Sequence, residues 1–423
     1  MSTATALYLV ALFLITLFTE AIFGINAQSL AYVPISLALI ALLLHATAAG
    51  KRDIIGRWYT SSPLFAPGLL FLAGLAAALP QAQDLGLAGK DFLRWSFVWL
   101  VFAPVTRAVC ADRARCRLFA RAAAAFITLF ATLTAVDLIT GLGLVRALTG
   151  GSGVTGQGRY MSLYGNAGIF AGMLIVGFPL SLAPALTERS RWRRIAWTGA
   201  TAVMAGGMLL SGSRAAVVAS VVAAMLICLL LRRRMGAAVI AAGAGAMVVL
   251  MLGAEVAGPP SLARFQHLLM RSGSGYDSLQ HRMDVWESAG RLIETSPLIG
   301  RGGAQLRFHQ RHGLNRAHNA WLDAWLDGGL PALLAMILVT AAIIRRMWLT
   351  WLYRPRGWLD PTHVALLGAA AAVLVGWTVR AGIGSRIDWL PTFMVFSLCW
   401  DAVPADPAGQ DPGDEEVIFP AAK

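Results

Sequence analysis

Charged residues are scarce in this chain, and their scarcity indicates its class. They form 13% of the 423 residues, whereas hydrophobic residues form 57%. A soluble domain usually contains about 25% charged residues. Long apolar runs accompany the deficit, so the chain is predicted to be a polytopic membrane protein. The first apolar run lacks a preceding basic region and a convincing small-residue cleavage site, which favours a retained helix over a signal peptide.

Several signatures of catalytic and binding sites are also absent. The chain has neither a His, Asp and Glu cluster with metal spacing nor a carboxylate pair arranged as in glycosidases. It lacks a P-loop and a dinucleotide-binding motif in the right context, and Gly212-Ser213-Arg214 does not complete a nucleophile elbow. Neither a metal nor a cofactor is therefore implied. The four cysteines lie within or beside apolar segments and imply neither disulfides nor a zinc site: Cys110, Cys116, Cys228 and Cys399.

The positive charge of the chain has a membrane explanation. In a soluble protein, a formal net charge of +13 would point to nucleic acid. In a membrane protein, an excess of basic residues in cytoplasmic loops and an anionic lipid substrate explain it better. No nucleic-acid partner is therefore expected.

Apolar runs predict an all-α membrane fold with about 12 spans, since each span needs roughly 20 apolar residues. The predicted spans are 5–23, 29–48, 63–80, 92–109, 118–140, 164–186, 195–211, 215–231, 236–254, 320–344, 362–380 and 387–403.

Basic residues between the spans predict their orientation. With the amino terminus in the cytoplasm, the cytoplasmic turns are Arg-rich, and the short turns on the other side hold few basic residues. Because this alternation holds along the chain, both termini are expected to be cytoplasmic. The Arg-rich turns contain Lys51, Arg52 and Arg57; Arg107, Arg113, Arg115, Arg117 and Arg121; Arg189, Arg191, Arg193 and Arg194; Arg232, Arg233 and Arg234; and Arg345, Arg346, Arg354 and Arg356.

One long polar segment divides the chain. It separates the first nine spans (1–254) from the last three (320–403), and an acidic, Pro-rich tail at 404–423 is predicted to be disordered. The segment itself, residues 255–319, falls on the outer side, where basic residues are sparse, yet it contains eight arginines and no lysine. Because arginine donates paired hydrogen bonds to phosphate oxygens, this loop indicates an anionic substrate held at the membrane.

The loop contains the pattern of a short amphipathic helix. Asp277 is expected to cap it, with Gln280 at the capping-box position. Its apolar positions recur at helical spacing, and Ser296-Pro297 is expected to end it. Those apolar positions are Met283, Trp286, Ala289 and Ile293.

His318 is the first candidate for chemistry. It stands at the outer side, at the expected start of the tenth span, with Asn319 next to it. Histidine suits proton transfer near neutral pH, and the positive end of a helix favours its neutral form. A histidine that only forms a hydrogen bond at a helix start is the competing explanation, and position alone favours it.

Arg214 and Arg282 are the candidate cations. Arg214 follows the small-residue turn Ser211-Gly212-Ser213 on the outer side, where the positive-inside rule does not explain an arginine. Exposed N–H groups in such a turn, with an arginine beside them, form an anion site. Arg282 has no carboxylate four residues away that would pair with it.

Other candidates are weaker. Arg159 and Asn166 lie in a Gly-rich turn on the same outer side, where a snorkelling arginine is an alternative explanation. Asp323 and Asp327 lie on one side of the tenth span, near its start. Arg386 and Asp388 open the last span and are weak substrate-binding candidates. The remaining loop arginines, taken singly, are expected to contact solvent or lipid headgroups, although Arg311 is also kept as a substrate-binding candidate; they are Arg264, Arg271, Arg291, Arg301, Arg307, Arg311 and Arg316.

Five short motifs follow one another in the chain. They are Ser211-Gly212-Ser213-Arg214, Arg282 with Trp286, Ser296-Pro297-Leu298-Ile299-Gly300-x-Gly302, Ala317-His318-Asn319 and Asp327-Gly328-Gly329. In this order they resemble the O-antigen ligase and O-antigen polymerase superfamily of bacterial envelope enzymes. The resemblance covers about 155–335 by motif, and each motif alone has low specificity. The ligase pattern expects a second glycine three positions after Gly329, where this chain has Ala332. Gly165-Asn166-Ala167 also departs from the commoner Gly-Asn-Pro-Asn of relatives.

The resemblance implies a metal-independent, inverting glycosyltransferase of the GT-C type in the bacterial inner membrane, with its active site on the periplasmic face. The donor would be O-antigen polysaccharide on undecaprenyl pyrophosphate, and the acceptor a sugar hydroxyl of lipid A–core. His318 would act as the base or as a phosphate contact, with Asn319 orienting it. Arg214 and Arg282 would hold the pyrophosphate, and Arg159 and Asn166 would extend that clamp.

Three alternatives stay open. An O-antigen polymerase would use the same donor with a second lipid-linked glycan as acceptor. A lipid-linked oligosaccharide transferase would act on protein. A transporter of polyprenyl-linked sugars would place ionisable residues in the middle of the bilayer, whereas the candidates here gather at the outer side.

Overall fold

The computed structural model is helical throughout the described residues, apart from one short strand pair. Residues Ala21–Ile22 and Ile25–Asn26 (β1 and β2) pair in antiparallel fashion. The structure describes residues 3–17, 21–22, 25–26, 32–48, 56, 62–143, 167–231, 278–308, 316–353, 360–379 and 386–397.

Thirteen α-helices lie in these ranges. In chain order they are α1 (Thr3–Leu17), α2 (Tyr32–Ala48), α3 (Phe65–Ala78), α4 (Leu85–Phe97), α5 (Ala103–Val109), α6 (Arg113–Thr140), α7 (Ala167–Thr187), α8 (Arg191–Leu210), α9 (Arg214–Leu230), α10 (Ser278–Thr295), α11 (Ala320–Tyr353), α12 (Pro361–Val379) and α13 (Arg386–Val395). A π-helical turn, Val98–Phe102, joins α4 to α5. Single 3₁₀ turns occupy Leu79–Gln81 and Gln305–Phe308.

The helices follow the predicted spans closely. Eleven of the twelve predicted spans coincide with a described helix, and the ninth, at 236–254, lies outside the described residues. Within the described part of the chain, five helices are long and apolar enough to cross a membrane: Leu85–Val109, Arg113–Asp137, Gly168–Thr187, Ala320–Leu352 and Pro361–Thr378. These helices support the membrane class, and the count of twelve spans stays a prediction.

Two sets of contacts organise the bundle. The helix α7 packs against α6, α8, α9 and α12, while α11 packs against α3. The crossing of α3 and α11 is close because glycines face each other: a Cβ on Gly74 would lie 2.5 Å from the Gly328 carbonyl oxygen. Buried aromatic rings fill the bundle near α13, where Trp389 lies 4.8 Å from Trp377 and 5.0 Å from Trp99 between ring centroids.

Contacts between helix ends define one side of the bundle, named here the Asp360 face. Arg117 near the start of α6 lies 3.0 Å from Asp360 before α12, and Arg121 lies 3.9 Å from Glu188 after α7. The end of α11 reaches the same place, because the Thr350 hydroxyl lies 3.5 Å from the ring of His363.

The opposite side is named the His318 face. Near the end of α9, Ile227 packs against Gly368 close to the start of α12, so α9 must begin on the His318 face. For the same reason α7 and α11 begin there, and the Trp377–Trp389 contact brings the start of α13 to the end of α12. The backbone positions of Arg214, His318 and Arg386 thus lie at helix starts on one face, and their membership of a common site stays a prediction.

Candidate functional site

His318 stands on a strained piece of backbone at the entrance to α11. Its φ is +55°, and among the described residues Ala304 is the other non-glycine residue with a positive φ. For a residue with a side chain, this left-handed conformation costs about 1–2 kcal/mol. Such strain persists only where the surroundings impose it, and it is concentrated at functional sites.

The residues on both sides of His318 are held by specific hydrogen bonds. Asn319 caps α11, because its side-chain oxygen accepts from the N–H groups of Trp321 at 3.0 Å and Leu322 at 3.3 Å. On the other side, the Ala317 N–H donates to the Asp323 carboxylate at 2.7 Å. These bonds fix the backbone of His318 at the positive end of a helix, which favours nearby negative charge.

The helix α10 also reaches this segment. The indole N–H of Trp286 donates to the Ala317 carbonyl at 2.8 Å. Arg282 lies one turn earlier on the same side of α10, since residues four apart share a helix face. The structure thus brings the helix that bears Arg282 to the residue before His318, and the shared site of these two residues stays a prediction.

The buried face of α10 differs in part from the predicted one. Val285, Ala289, Leu292 and Ile293 pack against Leu326 and Leu306, and Trp286 lies at the edge of this cluster. Met283, predicted to lie on the buried face, is 52% exposed, so that prediction was wrong. The helix ends at Thr295, where Ser296-Pro297 was predicted to end it. Asp277 lies outside the described residues.

A buried ionic cluster, which the sequence reasoning missed, anchors the chain just before His318. Arg316 donates to the Asp327 carboxylate at 2.9 Å and also contacts the Asp91 carboxylate of α4. Its side chain is 15% exposed, so the predicted solvent or lipid-headgroup role of Arg316 is wrong. The signal in the sequence was the isolated Asp91 at the start of an apolar run, since acids there are costly and need a partner.

The acids of the cluster stabilise the buried charge of Arg316. Burial disfavours the charged guanidinium, but the carboxylates of Asp91, Asp327 and Asp323 outweigh this effect and raise the pKa of Arg316 above its ordinary value. The Asp327 carboxylate also accepts from the Ala304 N–H at 3.3 Å. Asp323 is 2% exposed, and its second oxygen has no hydrogen-bond partner in the described part of the chain. Both Asp323 and Asp327 are therefore shielded from solvent by the protein near the start of α11.

A break in α11 holds the loop that follows α10. Gly329 adopts φ +66° and ψ −161° inside the helix. The carbonyls of Leu326 and Asp327, released by this break, accept instead from the N–H groups of Arg301 at 2.7 Å and Gly302 at 3.0 Å. Buried backbone groups need such partners, so the loop completes the broken helix.

The loop and the break meet at glycines because no side chain fits between them. A Cβ on Gly300, whose φ is +83°, would lie 2.5 Å from the Gly329 nitrogen. A Cβ on Gly329 would overlap the Leu298 carbonyl. Two motifs that are separate in the sequence, Ser296–Gly302 and Asp327–Gly329, therefore form one structural unit.

The same loop is tied to α4. Gln305 accepts from the Asp84 N–H at 3.1 Å and donates to the Gly303 carbonyl at 2.9 Å. Gly303 lies against Asp91, where an added Cβ would come within 2.6 Å of the Asp91 Cβ. These contacts connect the start of α4 to the segment that contains His318.

The remaining predicted residues are placed only in part. Arg214 is the first residue of α9, which Ser213 caps by accepting from the Ala216 N–H, and Arg386 and Asp388 lie in the first turn of α13. The side chains of these three residues, and the whole of Arg159, Asn166 and Arg311, lie outside the described part of the structure. Their roles stay predictions.

Other loop arginines behave as surface residues. Arg291 is 72% exposed and pairs with Glu287 on the same helix, and Arg301 donates to the Thr295 hydroxyl. Among the described residues, no group of three or more His, Cys, Asp or Glu side chains is placed to hold a metal ion.

Comparison with known families identifies the segment that contains this site. Residues 199–337 match the family model described as O-antigen ligase. The match begins in α8 and includes α9, the long polar loop, α10 and the first half of α11. It confirms the resemblance to the O-antigen ligase superfamily. A search of curated proteins found no match.

Proposed function

Because residues 199–337 match the family model described as O-antigen ligase, we propose that the protein transfers O-antigen polysaccharide from undecaprenyl pyrophosphate to a sugar hydroxyl of lipid A–core. The family covers ligases and related polymerases that act on lipid-linked glycans. The observation that carries the proposal is the strained backbone of His318, fixed beside the helix that bears Arg282.

The proposed reaction places each group in a simple role. His318 takes the proton of the acceptor hydroxyl as that oxygen attacks the anomeric carbon. The bond from this carbon to the pyrophosphate oxygen breaks on the opposite side, so the configuration inverts and undecaprenyl pyrophosphate leaves. In the alternative role, His318 donates a hydrogen bond to the phosphate.

Arginines rather than a metal are proposed to hold the leaving group. Arg282 and Arg214 bind the pyrophosphate and stabilise its charge as it departs. Arg316, the other arginine near His318, is already engaged by Asp91 and Asp327, so the donor is expected on the Arg282 side.

The proposed location follows from the two faces. Arg113, Arg117, Arg121 and Arg189 lie at helix ends on the Asp360 face. Basic residues accumulate on the cytoplasmic side, so the Asp360 face is proposed to be cytoplasmic and the His318 face periplasmic, in the inner membrane. A GT-C type fold and both termini in the cytoplasm complete this proposal.

Transfer in vitro tests the function. Purified protein, lipid-linked O-antigen and lipid A–core should give ladder-type lipopolysaccharide. His318→Asn is the sharpest variant, because Asn tolerates a positive φ and leaves the backbone unstrained relative to wild type. This variant, Arg282→Ala and Arg214→Ala should each abolish the ladder while still inserting in the membrane. Wild-type ladders from all three would refute the assigned roles.

A polymerase is the second candidate, because Ala332 stands where the ligase pattern has its second glycine. Ala332 is fully buried. Its Cβ lies so close to Gly328 that a Cβ added to Gly328 would come within 2.7 Å of it. A deletion strain separates the candidates. Loss of a ligase leaves lipid-linked polymer of normal length, whereas loss of a polymerase leaves single repeat units.

A further inference from the structure

A basic cleft opens on the Asp360 face, far from His318. It lies between the start of α6, the end of α7 and the start of α12, and it has a cavity volume of about 240 Å³. Sites that enclose a whole drug-sized ligand usually have volumes of about 300–1,000 Å³, so this cleft has the size for a smaller group. Arginines form its rim (Arg117, Arg121 and Arg189), and its walls are mainly apolar (Ala120, Leu180, Pro184 and Ala365).

The cleft retains positive charge after its internal pairs are counted. Arg117 lies 3.0 Å from Asp360 through one guanidinium nitrogen, and Arg121 lies only within 3.9 Å of Glu188. Arginine has five N–H donors, so these contacts leave donors for another anion. Asp360 is itself committed to α12, because it accepts from the Thr362 N–H at 2.7 Å. Three arginines thus face two carboxylates.

Exposed tryptophans place this cleft at the level of a membrane surface. Trp192 at the start of α8 is 78% exposed, and Trp348 and Trp351 near the end of α11 are also exposed. All three lie on the Asp360 face, and Trp is enriched where the membrane meets water. The helices that form the cleft, α6, α7 and α12, are candidate membrane spans.

We propose that this basic cleft binds the phosphate headgroup of an anionic phospholipid. The arginines at the rim would hold the phosphate, while the apolar walls contact the first part of the lipid tails. Basic pockets between membrane helices bind anionic headgroups on this principle. Free phosphate would use the rim but not the walls, so the lipid is the occupant that fits both.

Native mass spectrometry of the full-length protein tests the proposal. Phosphatidylglycerol should remain bound in preference to phosphatidylcholine, and each arginine removed from the cleft should weaken its retention by about fivefold. The test variant is Arg117→Gln/Arg121→Gln. The matched control is Arg193→Gln/Arg194→Gln, which removes the same charge from exposed positions on the same face, outside the cleft. It should retain nearly all the lipid.

Three results would overturn the proposal. Equal loss of lipid from both double variants would show a diffuse charge effect rather than a site. Undiminished retention by the cleft variant would exclude these arginines. If inorganic phosphate stabilises the protein against unfolding as much as phosphatidylglycerol does, free phosphate is the ligand. If the double variant fails to fold, Arg121→Gln alone repeats the test, because its pairing with Glu188 is weak.

Discussion

Removal of the Arg316 charge should destabilise the protein far more than removal of an exposed arginine. In the variant Arg316→Gln, the Asp91 and Asp327 carboxylates stay buried without their counter-charge. Breaking a buried ion pair from one side costs about 3–5 kcal/mol, and Arg316 serves two acids. The expected cost therefore lies toward the upper end of this range. Arg316→Lys should be intermediate, because an ammonium group lacks the planar fork that contacts both.

Unfolding in SDS and mixed micelles measures this cost, and Arg291→Gln is the matched control. Arg291 forms an exposed pair with Glu287 on one helix, and such pairs contribute about 0.3–0.5 kcal/mol. A double-mutant cycle adds a second criterion. Arg316→Gln combined with Asp327→Asn should be less destabilising than the sum of the two single variants, because the neutral amide no longer leaves a charge unpaired. The expected coupling is about 2 kcal/mol.

Two results would refute this reasoning. One is an Arg316→Gln variant no less stable than Arg291→Gln, and the other is a cycle whose single effects add. A functional measurement separates positioning from folding. If Arg316 positions His318, Arg316→Lys assayed at a temperature where it is fully folded should lower kcat more than it raises KM. An unchanged kcat would limit Arg316 to a structural role.

Further predictions concern the backbone and the chemistry. Gly329→Ala should strongly lower the melting temperature, because φ is +66° and a Cβ would overlap the Leu298 carbonyl. The control Gly290→Ala lies in α10 with open space around the added Cβ, so it should leave the melting temperature unchanged or raise it. Trp286→Phe should lower kcat for transfer by about five- to tenfold, because it loses one hydrogen bond worth about 1 kcal/mol. The control Trp325→Phe loses a comparable bond to Pro297 and should leave kcat unchanged. Equal effects of both variants would argue against a special role for Ala317. Transfer by the purified protein should persist in EDTA, and loss that a divalent ion reverses would contradict a metal-independent reaction.

The helices were predictable because each depends on its own residues. Apolar runs and the polar turns between them located eleven helices near their observed positions, and Ser296-Pro297 correctly marked the end of α10. The face of α10 was less predictable, since Met283 and Val285 lie at opposite edges of the face that contains Ala289, and a modest rotation of the helix buries one and exposes the other. That rotation is set by Leu306 and Leu326, which belong to other elements.

The candidate site shows the same limit. His318 and Asn319 were found by their place before an apolar run, and the cap formed by Asn319 agrees with it. The burial of Arg316 was missed because its partner Asp91 lies 225 residues away in the chain. Only packing of α4 beside the loop makes this arginine internal. The positive φ of His318 likewise depends on bonds made by its neighbours to Asp323 and Trp286.

The dependence of the loop on α3 and α4 has a consequence for exchanges between related proteins. The contacts of Gly328 with Gly74, of Gln305 with Asp84 and of Arg316 with Asp91 connect the loop to a part of the chain more than 200 residues earlier. In a chimera that exchanges residues 278–330 alone, the foreign segment would pack against α3 and α4 with mismatched contacts. Exchange of residues 74–91 together with it should restore folding. Substitutions in these two distant stretches are therefore expected to be accepted in pairs as such proteins diverge.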